Sequence, residues 1–190
     1  MLNQSRQTGI SLIEVLVTAS VVSFGLLGLA LFQVKAGMAE KESYQRAQAI
    51  GLLADMTDRI RVNATSSDAY VVNGTVGTGD SYPAGCSVLT TAAARDLCEW
   101  SNGLKGASEK NGAANAAGLT GGRGCITLIN ASNPAVGVCT PATYEVSVAW
   151  QGAHPTLAPN NTCGQTMYGA DETLRRVIIS RVTIGLPGCS

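Results

Sequence analysis

The chain has 190 residues and no formal net charge, 13 basic side chains balancing 13 acidic ones, which excludes electrostatic attraction to nucleic acid or anionic lipid as its main theme. Hydrophobic residues make up 45% and charged ones 14%, a balance too apolar for a disordered tail. The 6 cysteines set against 1 histidine suit a disulfide framework better than a catalytic thiol.

Residues 1–9 form a short polar segment that carries Arg6 and ends in Gly9, directly against an apolar run. The 25 residues from Ile10 to Val34 contain one formal charge, Glu14. At about 1.5 Å per residue such a helix spans a hydrocarbon core of about 30 Å. The run is longer than the apolar region of a secretory signal, about 7–15 residues. Arg6 holds the short end in the cytoplasm by the positive-inside rule and leaves the remainder outside. A carboxylate five residues into a membrane helix costs roughly 2.5–3.5 kcal/mol unless it is neutralised. Glu14 therefore either lies among the headgroups or has a partner.

Gly9-Ile10-Ser11-Leu12-Ile13-Glu14-Val15-Leu16 resembles the type IV prepilin signature: a short basic leader ending in Gly, a cut after that Gly, and Glu at the fifth mature position. The resemblance implies a scissile bond between Gly9 and Ile10, cut by a prepilin peptidase that also N-methylates Ile10. It implies that Glu14 pairs with the N-terminal amine of a neighbouring subunit, which removes the cost of burying either charge alone and so sets register in assembly. Ile10 stands where Phe is usual, and Leu31 where major pilins commonly carry a kinking Pro, leaving Gly25 and Gly28 as the weak points of the helix. Glu14-Val15-Leu16-Val17, Gly25-Leu26-Leu27-Gly28-Leu29 and Gln48 to Arg61 are similar to the PilV-like minor pilins, the pilus-modification proteins.

Beyond Lys35 the chain turns polar but keeps helix formers and lacks Pro until Pro83, so the helix is predicted to continue to about Val62. Ala49, Leu53, Met56 and Ile60 recur at steps of four, three and four, one apolar stripe on a polar helix. The stripe suits packing on a globular head, with a coiled-coil partner as the alternative. Glu40-Lys41-Glu42 reads as a solvated face.

From Asn63 the composition shifts to Gly, Ser, Thr and Asn, which marks a loop-rich head. All cysteines lie there: Cys86, Cys98, Cys125, Cys139, Cys163 and Cys189. An outside location makes them oxidised, and the pairing expected is nearest in sequence: Cys86 with Cys98, Cys125 with Cys139, Cys163 with Cys189. Zinc is the competing reading, but no Cys pair stands two to four residues apart and His154 is remote from any Cys cluster. Tyr144, Val146, Val148 and Trp150 alternate with polar or small residues as a half-buried strand does. Residues 125–129 and 176–184 are β-branched runs suited to the same antiparallel sheet. Between Ser101 and Gly124 a Gly-, Ala- and Asn-rich stretch with Lys105, Lys110 and Arg123 reads as a flexible exposed excursion, either variable loop or subunit contact.

Enzyme chemistry has little support. His154 precedes Pro155 in loop-like sequence, Gly121-Gly122-Arg123-Gly124 lacks the Gly-Lys-Ser/Thr ending of a phosphate loop, and Asp171-Glu172 lacks companions for calcium. The expected protein is α+β with the type IV pilin fold: leader 1–9, transmembrane helix 10–34, amphipathic continuation 35–62, and an extracytoplasmic disulfide-containing head 63–190 on a small antiparallel sheet. The resemblance implies a minor pilin needing no cofactor or metal. It also implies as partners other minor pilins, the major pilin, the prepilin peptidase and the inner-membrane assembly platform. The expectation is a chain held in the inner membrane before it joins a surface fibre, where a tip complex initiates assembly and supports adhesion, twitching motility or DNA uptake. A pseudopilin of type II secretion shares leader, cut site and Glu and is the rival; a signal-anchored envelope enzyme is the other.

Overall fold

The computed structural model describes residues 11–107, 110–112, 114–115, 118–186 and 188. Helix formers without a proline give α1, Leu12–Val62, 51 residues. Arg59 and Arg61 in its last turn face the negative end of its dipole. The chain divides into two compact units within this helix, Met1–Lys41 and Glu42–Ser190.

In the first unit the helical side chains are exposed, including Leu16, Phe24, Leu27 and Phe32. Its three central hydroxyls turn inward on their own helix. Thr18 donates to the Val15 carbonyl at 3.0 Å, Ser20 to Leu16 at 2.8 Å and Ser23 to Ala19 at 2.7 Å. Self-satisfied hydroxyls leave an apolar surface without stray donors, as a hydrocarbon setting requires.

In the second unit the apolar stripe of α1 is the first wall of the core: Ala49, Met56 and Ile60 are fully buried and Leu53 nearly so. A second helix, α2 (Ala92–Leu104), starts where the Thr91 hydroxyl accepts from Ala94 N at 3.2 Å. It buries Ala93, Leu97, Trp100 and Leu104, again at steps of four, three and four. The expected excursion over residues 101–124 is therefore corrected: its start is the last turn of α2, Leu119 is buried, and its end opens a strand.

Strands β1 (Val76–Gly77), β4 (Arg123–Asn130), β5 (Ala142–Gln151) and β6 (Arg175–Ile184) form an antiparallel sheet in the order β1-β4-β5-β6, while β2 (Lys110–Asn111) and β3 (Ala114–Asn115) make a separate two-stranded ribbon. Val146 of β5 lies opposite Ile126 and Ser180. Tyr144, Val146, Val148 and Trp150 face α1 and α2, the alternation that the sequence predicts. Trp100 joins the layers: its indole N–H donates to the Leu52 carbonyl of α1 at 2.9 Å, and its benzo ring lies where a Cβ on Gly124 would stand.

The other sheet face is also covered. The segment between β5 and β6 returns across it, and Cys125, Ala149, Cys163 and Tyr168 make a second apolar cluster. Cys163 is bonded to Cys125, with a Cα separation of 5.8 Å. This replaces the expected pairs Cys125 with Cys139 and Cys163 with Cys189, because the fold-back sets Cys163 over β4 while Cys139 sits beyond its end. Cys86 is bonded to Cys98, Cys139 is also disulfide-bonded, and Cys189 lies outside the described residues.

Candidate functional site

Glu14 stands in the first turn of α1. Its backbone N–H donates to Ser11 O at 3.0 Å, while its exposed carboxylate has no partner among the described residues. Gly9 and Ile10 lie outside the described residues. Past Glu14 the helix carries no charge until Lys35, and it is long and apolar enough to cross a membrane. What the arrangement offers chemically is one acceptor at the edge of an apolar rod, suited to a cation brought by another chain.

Glu42 is not the solvated residue expected from its Glu40-Lys41 neighbours. Its carboxylate accepts from Arg176 Nε at 2.8 Å and from Ala153 N at 2.9 Å, tying α1 to the start of β6. Burial raises the Glu42 carboxyl, but the Ala153 N–H and the Arg176 guanidinium outweigh it and hold the group below its ordinary value. Farther along α1, Arg59 binds Asp55, Asp96 and Glu99. Tyr70 donates to the same Asp96; burial, then that hydrogen bond, raise its phenol to about 12. Asp80 organises the turn after β1. Its carboxylate accepts from Gly77 N at 2.6 Å and Ser101 Oγ at 2.7 Å, and pairs with Lys105. Burial raises the Asp80 carboxyl, yet Lys105, Gly77, Ser101 and Tyr82 together hold it low.

The residues weighed for enzyme chemistry do structural work. The His154 carbonyl accepts from Arg176 Nη2 at 2.6 Å. Gly122 packs against the Leu104 carbonyl, so the Gly121–Gly124 turn is closed against α2 instead of opening as a phosphate cradle. Glu172 accepts from Thr166 N and pairs with Arg175, and Asp171 accepts from Thr173 N. Among the described residues no three His, Cys, Asp or Glu side chains gather as metal ligands.

The Glu42 to Arg176 and Tyr70 to Asp96 contacts escape sequence reasoning because they join distant segments. The Asp55 to Arg59 pair, four residues apart on one helix, does carry a local signal.

Residues 30–100 match a family model described as Tt1218-like, Type IV pilin Tt1218. The match runs from the apolar half of α1 to Trp100 of α2 and so takes in the helix stripe that builds the core. No curated protein and no solved structure matches the chain. The long apolar N-terminal helix, the α+β head on a four-stranded antiparallel sheet and this family match together support a type IV pilin.

Proposed function

We propose that the chain is a minor pilin of a type IV pilus. It is cut between Gly9 and Ile10 by prepilin peptidase, N-methylated at Ile10, and held in the inner membrane with its head in the periplasm until it joins other minor pilins and the major pilin in a tip complex. Like pilins in general, it assembles and does not catalyse. The observation that carries the reading is Glu14: a carboxylate at the start of a membrane-length apolar helix, with no partner among the described residues of its own chain. An unpaired carboxylate is expensive there, and docking against the ammonium of a second subunit's mature N-terminus removes that cost.

The test is a pair of chains, the natural one and Glu14→Ala, expressed in the native host. Mass spectrometry of the membrane form is expected to find a methylated Ile10 start in both. Sheared fibres are expected to contain the natural chain and to lack the variant. A Met1 start, or normal incorporation of Glu14→Ala, overturns the reading. Deletion that abolishes protein secretion and leaves pili intact would instead assign the chain to a type II secretion pseudopilus.

A further inference from the structure

On the sheet face turned away from α1 and α2 a cavity of about 340 Å³ opens, at the small end of the range of ligand sites, about 300–1,000 Å³. Its floor is Cys125 and Thr127 of β4 with Glu145 and Ser147 of β5, and its rims are residues 72–75 and 161–167.

The second rim is fixed in place. Asn161 donates to Glu145 Oε1 at 3.0 Å and to Ser147 Oγ at 3.2 Å, and its Oδ1 accepts from Cys163 N at 2.8 Å. The Cys125–Cys163 bond ties rim to floor. Behind it Arg175, 2% exposed, donates to the carbonyls of Asn161 at 2.5 Å, Cys163 at 3.0 Å and Pro159 at 3.1 Å. A buried guanidinium and a disulfide hold a surface loop rigid, and a rigid rim lowers the ordering cost of binding.

The groups left facing the cavity set the chemistry. The hydroxyls of Thr75, Thr127 and Thr162 and the amide of Gln165 line it and make no hydrogen bond among the described residues. Among the described residues Glu145 is the only charged one in the lining; one of its oxygens is taken by Asn161 and the other faces Arg181 at 3.4 Å. An anion would meet that carboxylate, while the cation paired with it, Arg181, is not among the lining residues. A cation would compete with Arg181 for an acid already engaged. A neutral ligand rich in hydroxyls suits the free donors and acceptors, and Val72 and Met167 offer apolar surface to its C–H faces. We propose that this cavity is a binding site for a neutral saccharide unit. The proposal stands independently of the assembly reading, since no element of the site belongs to α1.

The test uses the full chain in a zwitterionic detergent without a sugar headgroup. Saturation-transfer NMR is run with the methyl glycosides of glucose, galactose and N-acetylglucosamine, and with arginine and inorganic phosphate as charged comparisons. Transfer to at least one glycoside is expected. Thr127→Val, which deletes one hydroxyl from an exposed strand position, is expected to weaken it about three- to tenfold. Thr127→Trp, which fills the floor, is expected to abolish it; if that variant misfolds, Thr127→Val decides. Absence of transfer to every glycoside, equal transfer in the variants, or preferential binding of arginine or phosphate overturns the proposal.

Discussion

Gly124→Ala tests whether Trp100 fastens the head together. A Cβ added at Gly124 would lie 2.2, 2.3 and 2.8 Å from three carbons of the Trp100 benzo ring. Carbon contacts are comfortable at about 3.5 Å, so the ring must withdraw by about 1.3 Å. The ring is fully buried between α1 and the sheet, so such a displacement meets close-packed neighbours and costs about 1–3 kcal/mol. It also draws the indole N–H away from the Leu52 carbonyl, now at 2.9 Å, and a buried donor left unpaired adds about 1–3 kcal/mol. The sum of about 2–6 kcal/mol lowers the melting temperature by an amount on the order of 10 °C for a unit of this size. The assay is thermal unfolding of the full chain in detergent, followed by tryptophan fluorescence, for Gly124→Ala, Trp100→Phe and the double variant. A phenylalanine withdraws from the same space, so the two losses should fall short of adding by at least about 0.5 kcal/mol. A Gly124→Ala protein as stable as the natural one, or strictly additive losses, would refute the account of Trp100 as the joint between the layers.

Three further outcomes follow from buried polar groups and covalent ties. The Asp80 carboxyl is held low in the folded protein, so its contribution is complete above the unfolded value of about 3.9 and disappears as pH falls through the folded value. Urea unfolding between about pH 4 and pH 2 should show a flatter loss of stability in Asp80→Asn than in the natural chain, and parallel profiles would contradict this. Arg175→Met leaves Glu172 and three carbonyls without their donor; it should destabilise by about 3–5 kcal/mol. Hydrogen exchange should then rise first in residues 159–165, and a uniform rise across the sheet would show that the arginine does not act on that loop. Cys125 and Cys163 are 38 residues apart against 12 for Cys86 and Cys98. Loop-closure entropy then makes serine replacement of the first pair cost about 4 kcal/mol and of the second about 3 kcal/mol. Denaturant midpoints in the reverse order would count against the entropic origin.

Much of this structure is legible from local pattern, and the remainder depends on which segments meet. The absence of Pro before Pro83 and the Ala49-Leu53-Met56-Ile60 stripe delimit α1 and its buried face. Alternation in β5 and the β-branched run of β6 announce the sheet. Helix α2 carries the same four-three-four stripe and a Thr91 cap, but Ser101, Asn102 and Gly103 run on into a Gly- and Asn-rich stretch whose composition masks its last turn. The Cys125 to Cys163 bond is not readable from spacing, because it depends on the β5 to β6 connection folding back over the sheet. Glu42 reads as solvated for the same reason: its partner Arg176 is 134 residues away.

The boundary of the head does not fall where the composition changes. A soluble version begun at Asn63 would lack Ala49, Leu53, Met56 and Ile60, four side chains of its own interior, and the Leu52 carbonyl that holds Trp100. One begun at Glu42 keeps all of these and the Arg176 pair. The practical seam lies in mid-helix, so the membrane anchor can be removed cleanly only by cutting through a continuous element, and the new first turn will need a cap to replace the hydrogen bonds that the upstream residues supplied.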